Sequence, residues 1–268
     1  MTLPASLPAL GAIATFGDSL RETCREGARR LDLARQVDPD RSTTPHWRLL
    51  LAEPGYVFEP ARRFWRNRVE PFRLPQAGKP RTVIVLPGFG AHPLRMRYFA
   101  RTLEDAGHTV KRWGQGFNWG VSEERFATAE KRLLQVHRRY GEPVVLVGWS
   151  LGGLFARELA MRHPHAVAKV VTMGSPFSGS PRANNAWRIY QLVAGHRVDA
   201  PPIEARTSEK PPVPTIALWS ARDGIVHPRS AAGRCGERDR AVALRCTHMG
   251  FSFAPEAIAA VARELESP

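Results

Sequence analysis

The sequence predicts an α/β fold in which a mostly parallel sheet is flanked by helices. After Gly78, apolar runs rich in β-branched residues alternate with amphipathic runs of helical length. Regular alternation of this kind indicates parallel strands covered on both faces. The chain has 268 residues, of which 43% are hydrophobic and 24% charged, so one large domain with a substantial core is expected.

Residues 1–78 predict a helical N-terminal extension, because no strand-helix alternation precedes Gly78. Asp18 is expected to cap a helix over 19–36. Two shorter helices are expected over 46–52 and 60–69.

The second short helix carries Phe64 and Trp65 among four arginines, Arg62, Arg63, Arg66 and Arg68. We expect the aromatic pair to dock on the main domain. The alternative is a peripheral membrane contact, with the rings inserted into the lipid surface.

The main domain is expected over 79–268. Strands are predicted over 81–86, 108–113, 144–149, 167–173, 213–220 and 241–246, with helices over 94–106, 122–140, 154–162 and 255–265. An insertion at about 176–212, with a helix near 184–193, breaks the alternation. Because it follows the carboxyl end of a strand, we expect it to form a lid or substrate wall.

A sharp turn is predicted at Ser150. The apolar run Val144–Trp149 leads into the sequence Gly148-Trp149-Ser150-Leu151-Gly152, and a helix-forming run follows. This order of strand, turn and helix is what a nucleophile elbow requires. The two glycines leave room for the tight turn, and the helix N-terminus offers free N–H groups to an anion. Ser150 is therefore the expected nucleophile.

A serine nucleophile needs a base, and the base needs an acid that fixes its tautomer. His248 directly follows the last predicted strand, and Asp223 follows the strand before it, with Gly224 permitting the turn. We therefore expect a triad of Ser150, Asp223 and His248. Competing side chains are less well placed; they are His92, His163, His165, His227, Glu237 and Asp239.

Two backbone N–H groups are expected to stabilise an oxyanion. One belongs to Leu151, directly after the nucleophile. The other belongs to Phe89, in the glycine-rich loop after the first main-domain strand. An ordinary strand-helix turn is the alternative interpretation of that loop.

These motifs together resemble α/β-hydrolases, serine hydrolases of the bacterial esterase/lipase type. The motifs are Leu86-Pro87-Gly88-Phe89-Gly90, Gly148 to Gly153, Gly174 to Gly179, Asp223-Gly224 and His248. The runs 113–120 and 181–187 also match. The resemblance covers about Arg81 to the end of the chain. It implies the α/β-hydrolase fold and cleavage of small-molecule or lipid carboxylic esters through an acyl-enzyme, without a cofactor or a metal.

The expected lid is rich in apolar side chains, which suggests an apolar acyl group. Trp149, Phe177 and Trp187 are the expected substrate-binding side chains. Packing within the lid explains the apolar side chains of the lid equally well.

The charge and the cysteine content narrow the possible partners and compartments. The formal net charge is +14, but there is no zinc finger or RNA-binding signature, so nucleic acid is not an expected partner. Three cysteines exclude a disulfide scaffold, although Cys235 and Cys246 have the spacing to pair. Residues 1–16 do not resemble a signal peptide, and a cytoplasmic location is expected, with peripheral membrane contact as an addition.

The sequence leaves three alternative functions open. A thioesterase or acyltransferase would use the same triad. A catalytically silent lipid-binding module would use the basic surface. Finally, Gly17-Asp18-Ser19-Leu20 matches the serine motif of GDSL esterases, although no Asp-x-x-His pair lies near the C-terminus.

Overall fold

The computed structural model describes residues 9–267 and contains a parallel sheet of six strands. The strand order is β2-β1-β3-β4-β5-β6, and every neighbouring pair is parallel. The strands are β1 (Thr82–Leu86), β2 (Thr109–Arg112), β3 (Val144–Trp149), β4 (Val167–Met173), β5 (Thr215–Ser220) and β6 (Arg240–Leu244). The predicted α/β class is confirmed.

Helices precede the sheet and cover both of its faces. They are α1 (Ala9–Arg35), α2 (Trp47–Leu50), α3 (Glu59–Val69), α4 (Arg97–Asp105), α5 (Glu123–Tyr140), α6 (Leu151–Arg162), α7 (Trp187–Ala194), α8 (Pro228–Ala232) and α9 (Pro255–Glu266). A 3₁₀ turn over Glu53–Phe58 joins α2 to α3.

The sheet has a hydrophobic core on each face, as alternation along a strand requires. Val83 and Val85 of β1 pack with side chains of α4 and α9 on one face. Ile84 and Leu86 pack with side chains of α5 and α6 on the other. The central strands are buried on both faces of the sheet. The loops at their carboxyl ends therefore start from backbone that packing holds rigidly.

Helix α1 begins earlier than the sequence predicted. Because it starts at Ala9, Asp18 lies inside the helix, and its prediction as the cap is wrong. The residues before Asp18 include several alanines and a leucine, which favour helix themselves. Residues 1–8, which belong to the segment judged not to be a signal peptide, lie outside the described part of the chain.

The insertion between β4 and β5 contains α7, and α1 packs against that helix. Arg30 Nη1 donates to Val193 O at 2.8 Å, and Gln191 Nε2 donates to Leu33 O. The helix that begins the described chain therefore contacts the insertion.

The prediction that Phe64 and Trp65 dock on the main domain is wrong. Phe64 is 52% exposed and Trp65 is 65% exposed. The guanidinium of Arg68, on the same helix, lies 4.2 Å from the Phe64 ring centroid and 5.8 Å from that of Trp65. The rings stack with a cation of their own helix instead of entering the core.

The sequence left open whether Cys235 and Cys246 form a disulfide. Cys24, Cys235 and Cys246 are all free, so Cys235 and Cys246 do not pair. Over residues 9–267, no helix has the length and apolar character needed to cross a bilayer.

Candidate active site

Ser150 occupies a strained turn between β3 and α6. Its φ is 53° and its ψ is −122°, a conformation that costs a non-glycine residue on the order of 1–3 kcal/mol. A Cβ on Gly148 would lie 2.4 Å from Gly152 O, and one on Gly152 would lie 2.2 Å from Leu86 O. Only glycine fits at either position. The packing that excludes side chains there also holds the serine above the sheet.

His248 and Asp223 form a buried pair in the loops after β6 and β5. His248 Nδ1 lies 2.8 Å from Asp223 Oδ2, and the two side chains are 3% and 0% exposed. Asp223 Oδ1 accepts from the N–H groups of Ile225 and Val226 at 2.9 and 2.8 Å. The carboxylate is thus fixed, and because it accepts from Nδ1, it leaves His248 Nε2 as the basic nitrogen.

The imidazole of His248 lies beside the residue that precedes Ser150. The ring centroids of Trp149 and His248 are 5.8 Å apart, and Trp149 Nε1 donates to His248 O at 3.0 Å. The sequence predicted Trp149 as a substrate contact. In the structure its indole is buried in the core and positions the histidine loop.

The electrostatic surroundings raise the pKa of His248 above its ordinary value of 6.5. Burial alone lowers this pKa, but the charge and hydrogen bond of Asp223 raise it, and the negative charge of Glu53 adds to the rise. These surroundings therefore favour the protonated form of the imidazole.

The competing histidines make other contacts. His227 and His92 each accept a backbone N–H through Nδ1 at a helix start. His163 Nε2 lies 2.7 Å from Glu130 Oε1. His165 makes edge-on ring contacts with His163 and with His137.

The competing acids and the GDSL-like serine are also accounted for. Asp239 accepts from Thr215 N and pairs with Lys210 Nζ, and Glu237 accepts from Arg234 N. Ser19 is exposed in the middle of α1 and does not follow a strand, so the GDSL interpretation is wrong.

The loop after β1 passes directly beside Ser150. A Cβ on Gly88 would lie 3.1 Å from Ser150 Cβ, so this loop comes close to the serine at the residue before Phe89. Leu151 is the first residue of α6. Leu151 and the loop that carries Phe89 therefore both lie next to Ser150.

Asn118, which sequence reasoning did not assign, holds this loop in place. Its side-chain Nδ2 donates to Pro87 O at 2.8 Å, its carbonyl accepts from Gly90 N at 2.8 Å, and its N–H donates to Ala91 O at 3.1 Å. The side chain is fully buried. In the sequence, the signal that could have identified Asn118 was its position within the run 113–120, which is rich in glycine and tryptophan.

A cavity of about 250 Å³ opens at Ser150 and Leu151. The insertion supplies much of its wall, and most of the lining side chains are apolar. Phe177 and Trp187, both predicted to bind substrate, line it, whereas Trp149 is not among its lining residues. Tyr190 joins the wall to the loop after β1, because its ring lies 5.2 Å from that of Phe89.

The buried side chain of Arg157 holds the C-terminal part of the insertion in place. Its guanidinium donates to the carbonyls of Thr207, Glu209 and Glu237 and lies 4.1 Å from the Phe177 ring centroid. Burial lowers its pKa to about 10. Arg157 remains charged at neutral pH and holds the cavity wall against α6.

Known proteins resemble this chain in sequence and in fold. A family model described as the alpha/beta hydrolase fold matches residues 81–192. A pimeloyl-[acyl-carrier protein] methyl ester esterase of Aromatoleum aromaticum is 49% identical over 45 residues, which are 17% of this chain and 18% of that protein. The enzyme of the same name from Vibrio cholerae is 29% identical over 116 residues, covering 42% and 43%.

A crystal structure of a monoacylglycerol lipase from Paleococcus ferrophilus superimposes with a TM-score of 0.51 at 17% identity. The superposition covers 71% of this chain and 96% of that one. At this identity the likeness shows the fold alone. The matched segments also span less than half the length of the two curated relatives.

Replacement Asp223→Asn should lower the pKa of His248, because it removes the main contact that raises that pKa. An NMR titration of the histidine ring protons measures this directly. His227, whose pKa is set by burial and by Arg229, provides an internal reference that should not move. An unchanged His248 titration would show that the pair is not coupled as described.

Proposed function

We propose that this chain, which has the α/β-hydrolase fold, is a serine hydrolase that cleaves carboxylic esters. The observation that carries the proposal is the buried pair of Asp223 and His248 beside the strained elbow at Ser150. The esterases among its partial sequence relatives support the same reaction class.

In the proposed mechanism, Ser150 Oγ gives its proton to His248 Nε2 and attacks the ester carbonyl. The oxyanion accepts from the N–H groups of Phe89 and Leu151, each worth about 3 kcal/mol in the transition state. The carbon–oxygen bond breaks, and the protonated His248 gives its proton to the leaving alcohol. Water, activated by the same histidine, then releases the acid from Ser150.

The cavity favours an ester with an apolar acyl group. Phe89, Phe155, Phe177 and Trp187 surround the space next to Ser150. Burial of each methylene group contributes about 0.8 kcal/mol, so binding should improve with chain length until the cavity is full. The curated relatives are named for a methyl ester, the ester of a small alcohol.

Hydrolysis of p-nitrophenyl esters from acetate to decanoate tests this proposal. We expect kcat/KM to rise from acetate to a medium-chain ester and then to fall. Ser150→Ala should lower kcat/KM by about 10⁴-fold or more, whereas Ser19→Ala, which alters an exposed serine, should not change it.

Full activity in Ser150→Ala would refute the proposed nucleophile. Matched oxygen esters and thioesters separate the esterase from its nearest alternative. A clear preference for thioesters would replace the proposed substrate class with that of a thioesterase.

We also propose that residues 47–69 make a peripheral contact with an anionic membrane. Large apolar side chains are exposed along this segment: Trp47, Leu50, Leu51, Val57, Phe58, Phe64, Trp65 and Val69. Arginines lie among them, at positions 48, 62, 63, 66 and 68. Exposed rings beside cations fit the boundary between acyl chains and anionic headgroups.

Cosedimentation with phosphatidylserine-containing vesicles checks this contact. The wild-type protein should bind them more strongly than neutral phosphatidylcholine vesicles, and added salt should weaken the binding. The double variant Phe64→Ser/Trp65→Ser should lose most of the binding. A matched control, Phe117→Ser/Trp119→Ser, changes an equally exposed aromatic pair and should bind like wild type. Equal loss in both variants would contradict the proposed surface.

A further inference from the structure

Glu53 is a buried carboxylate in the segment that precedes the sheet. It begins the 3₁₀ turn over Glu53–Phe58, and only 4% of the residue is exposed. Burial of a charged group is costly unless hydrogen bonds replace its hydration. The partners of Glu53 therefore show what keeps it inside the protein.

Both carboxylate oxygens accept hydrogen bonds from the loops that carry the proposed acid and base. Glu53 Oε1 accepts from Gly224 N at 2.9 Å and from His248 N at 2.7 Å. Oε2 accepts from Met249 N at 2.9 Å. Gly224 directly follows Asp223, so one side chain joins the two loops on either side of the Asp223–His248 contact.

The backbone before Glu53 presses against the same loop. A Cβ on Gly224 would lie 2.5 Å from the carbonyl of Leu49. Asn185, in the insertion, donates through Nδ2 to Pro45 O at 3.1 Å and to Gly224 O at 2.8 Å. The N-terminal segment, the acid loop and the insertion therefore meet at one point.

We propose that Glu53 is a positioning residue for the reaction described above, acting through His248 and Asp223. Its hydrogen bonds fix the histidine backbone against the aspartate loop. Its charge also favours the protonated imidazole that forms when Ser150 loses its proton. This inference rests on the proposed function for its consequence in catalysis, and on the geometry alone for its effect on His248.

Side chains from several elements surround the imidazole of His248. Asp223 faces Nδ1, and Trp149 and Phe251 contact the ring. Glu53 approaches from the backbone side. The negative charges of Asp223 and Glu53 both raise the pKa of His248 against the opposing effect of burial.

Three variants distinguish a positioning role of Glu53 in the reaction from a contribution to the stability of the fold. Glu53→Gln keeps the shape of the side chain but removes its charge. It also replaces one accepting oxygen by an amide nitrogen, which cannot accept a hydrogen bond from the backbone N–H that it faces. Glu53→Asp keeps the charge with a shorter reach. Glu59→Gln is the matched control, because Glu59 lies in the same segment and pairs with Arg66 at 3.3 Å.

The measurement is the rate of phosphonylation by a fluorophosphonate probe as a function of pH. Neutral His248 is the active base, so the rate falls as pH drops through its pKa. Glu53→Gln removes a charge that raises this pKa, so the acid limb should move to lower pH. Its plateau rate should fall about tenfold, as expected when one charge-assisted hydrogen bond of about 1.5 kcal/mol no longer orients the base. Glu53→Asp should lower the rate without moving the limb, and Glu59→Gln should match wild type.

A lower rate in Glu53→Gln with an unmoved acid limb would reduce Glu53 to a structural role and overturn the inference. So would wild-type behaviour of that variant. If wild-type protein were not labelled at all, the proposed function would fail instead. The inference would then be decided by NMR titration of His248, whose pKa should still fall in Glu53→Gln.

Amide hydrogen exchange in the wild-type protein provides a test that needs no variant. The N–H groups of Gly224, His248 and Met249 should all exchange slowly although they lie in loops, because each donates to a buried carboxylate. Fast exchange at these three positions would overturn the inference even if Glu53→Gln did not fold.

Discussion

Two buried carboxylates, those of Asp223 and Glu53, converge on the loop that carries His248. Neither is exposed enough for water to solvate it, so both depend on protein donors. Asp223 receives two backbone N–H groups and the imidazole, and Glu53 receives three backbone N–H groups. The loops after β5 and β6 must keep their conformations for these bonds to form. The position of the histidine is therefore set by the need to satisfy two buried charges.

The cavity wall is held by a second set of contacts that link the insertion to the core. Arg157, in α6, donates a hydrogen bond to the carbonyl of Thr207 in the insertion. Tyr190 packs on Phe89 in the loop after β1. Helix α1 covers α7 from the outside. A movement of α7 would consequently disturb Phe89 as well as the cavity, which couples the insertion to the loop beside Ser150.

The sequence predicted what depends on local pattern. The strands of the sheet follow from apolar runs, and the contact between Asp223 and His248 follows from their positions after neighbouring strands. The role proposed for Ser150 rests on the same kind of position. The sequence did not predict Glu53, whose partners lie 171 and 195 residues away along the chain. It also missed Asn118, because one asparagine among glycines and aromatic residues does not reveal which carbonyl it will reach. The exposure of Phe64 and Trp65 was misjudged because a helix that carries both rings and arginines gives no sign of whether its rings pack on the core.

The most direct test of the central claim is a crystal structure of the protein after reaction with a phosphonate ester. We expect a phosphorus–oxygen bond to Ser150 Oγ, with the phosphoryl oxygen within hydrogen-bond distance of the N–H groups of Phe89 and Leu151. The proposed mechanism requires both. It also predicts that the alkyl chain occupies the cavity beside Phe177 and Trp187. An adduct on another residue, or a phosphoryl oxygen turned away from both N–H groups, would contradict it.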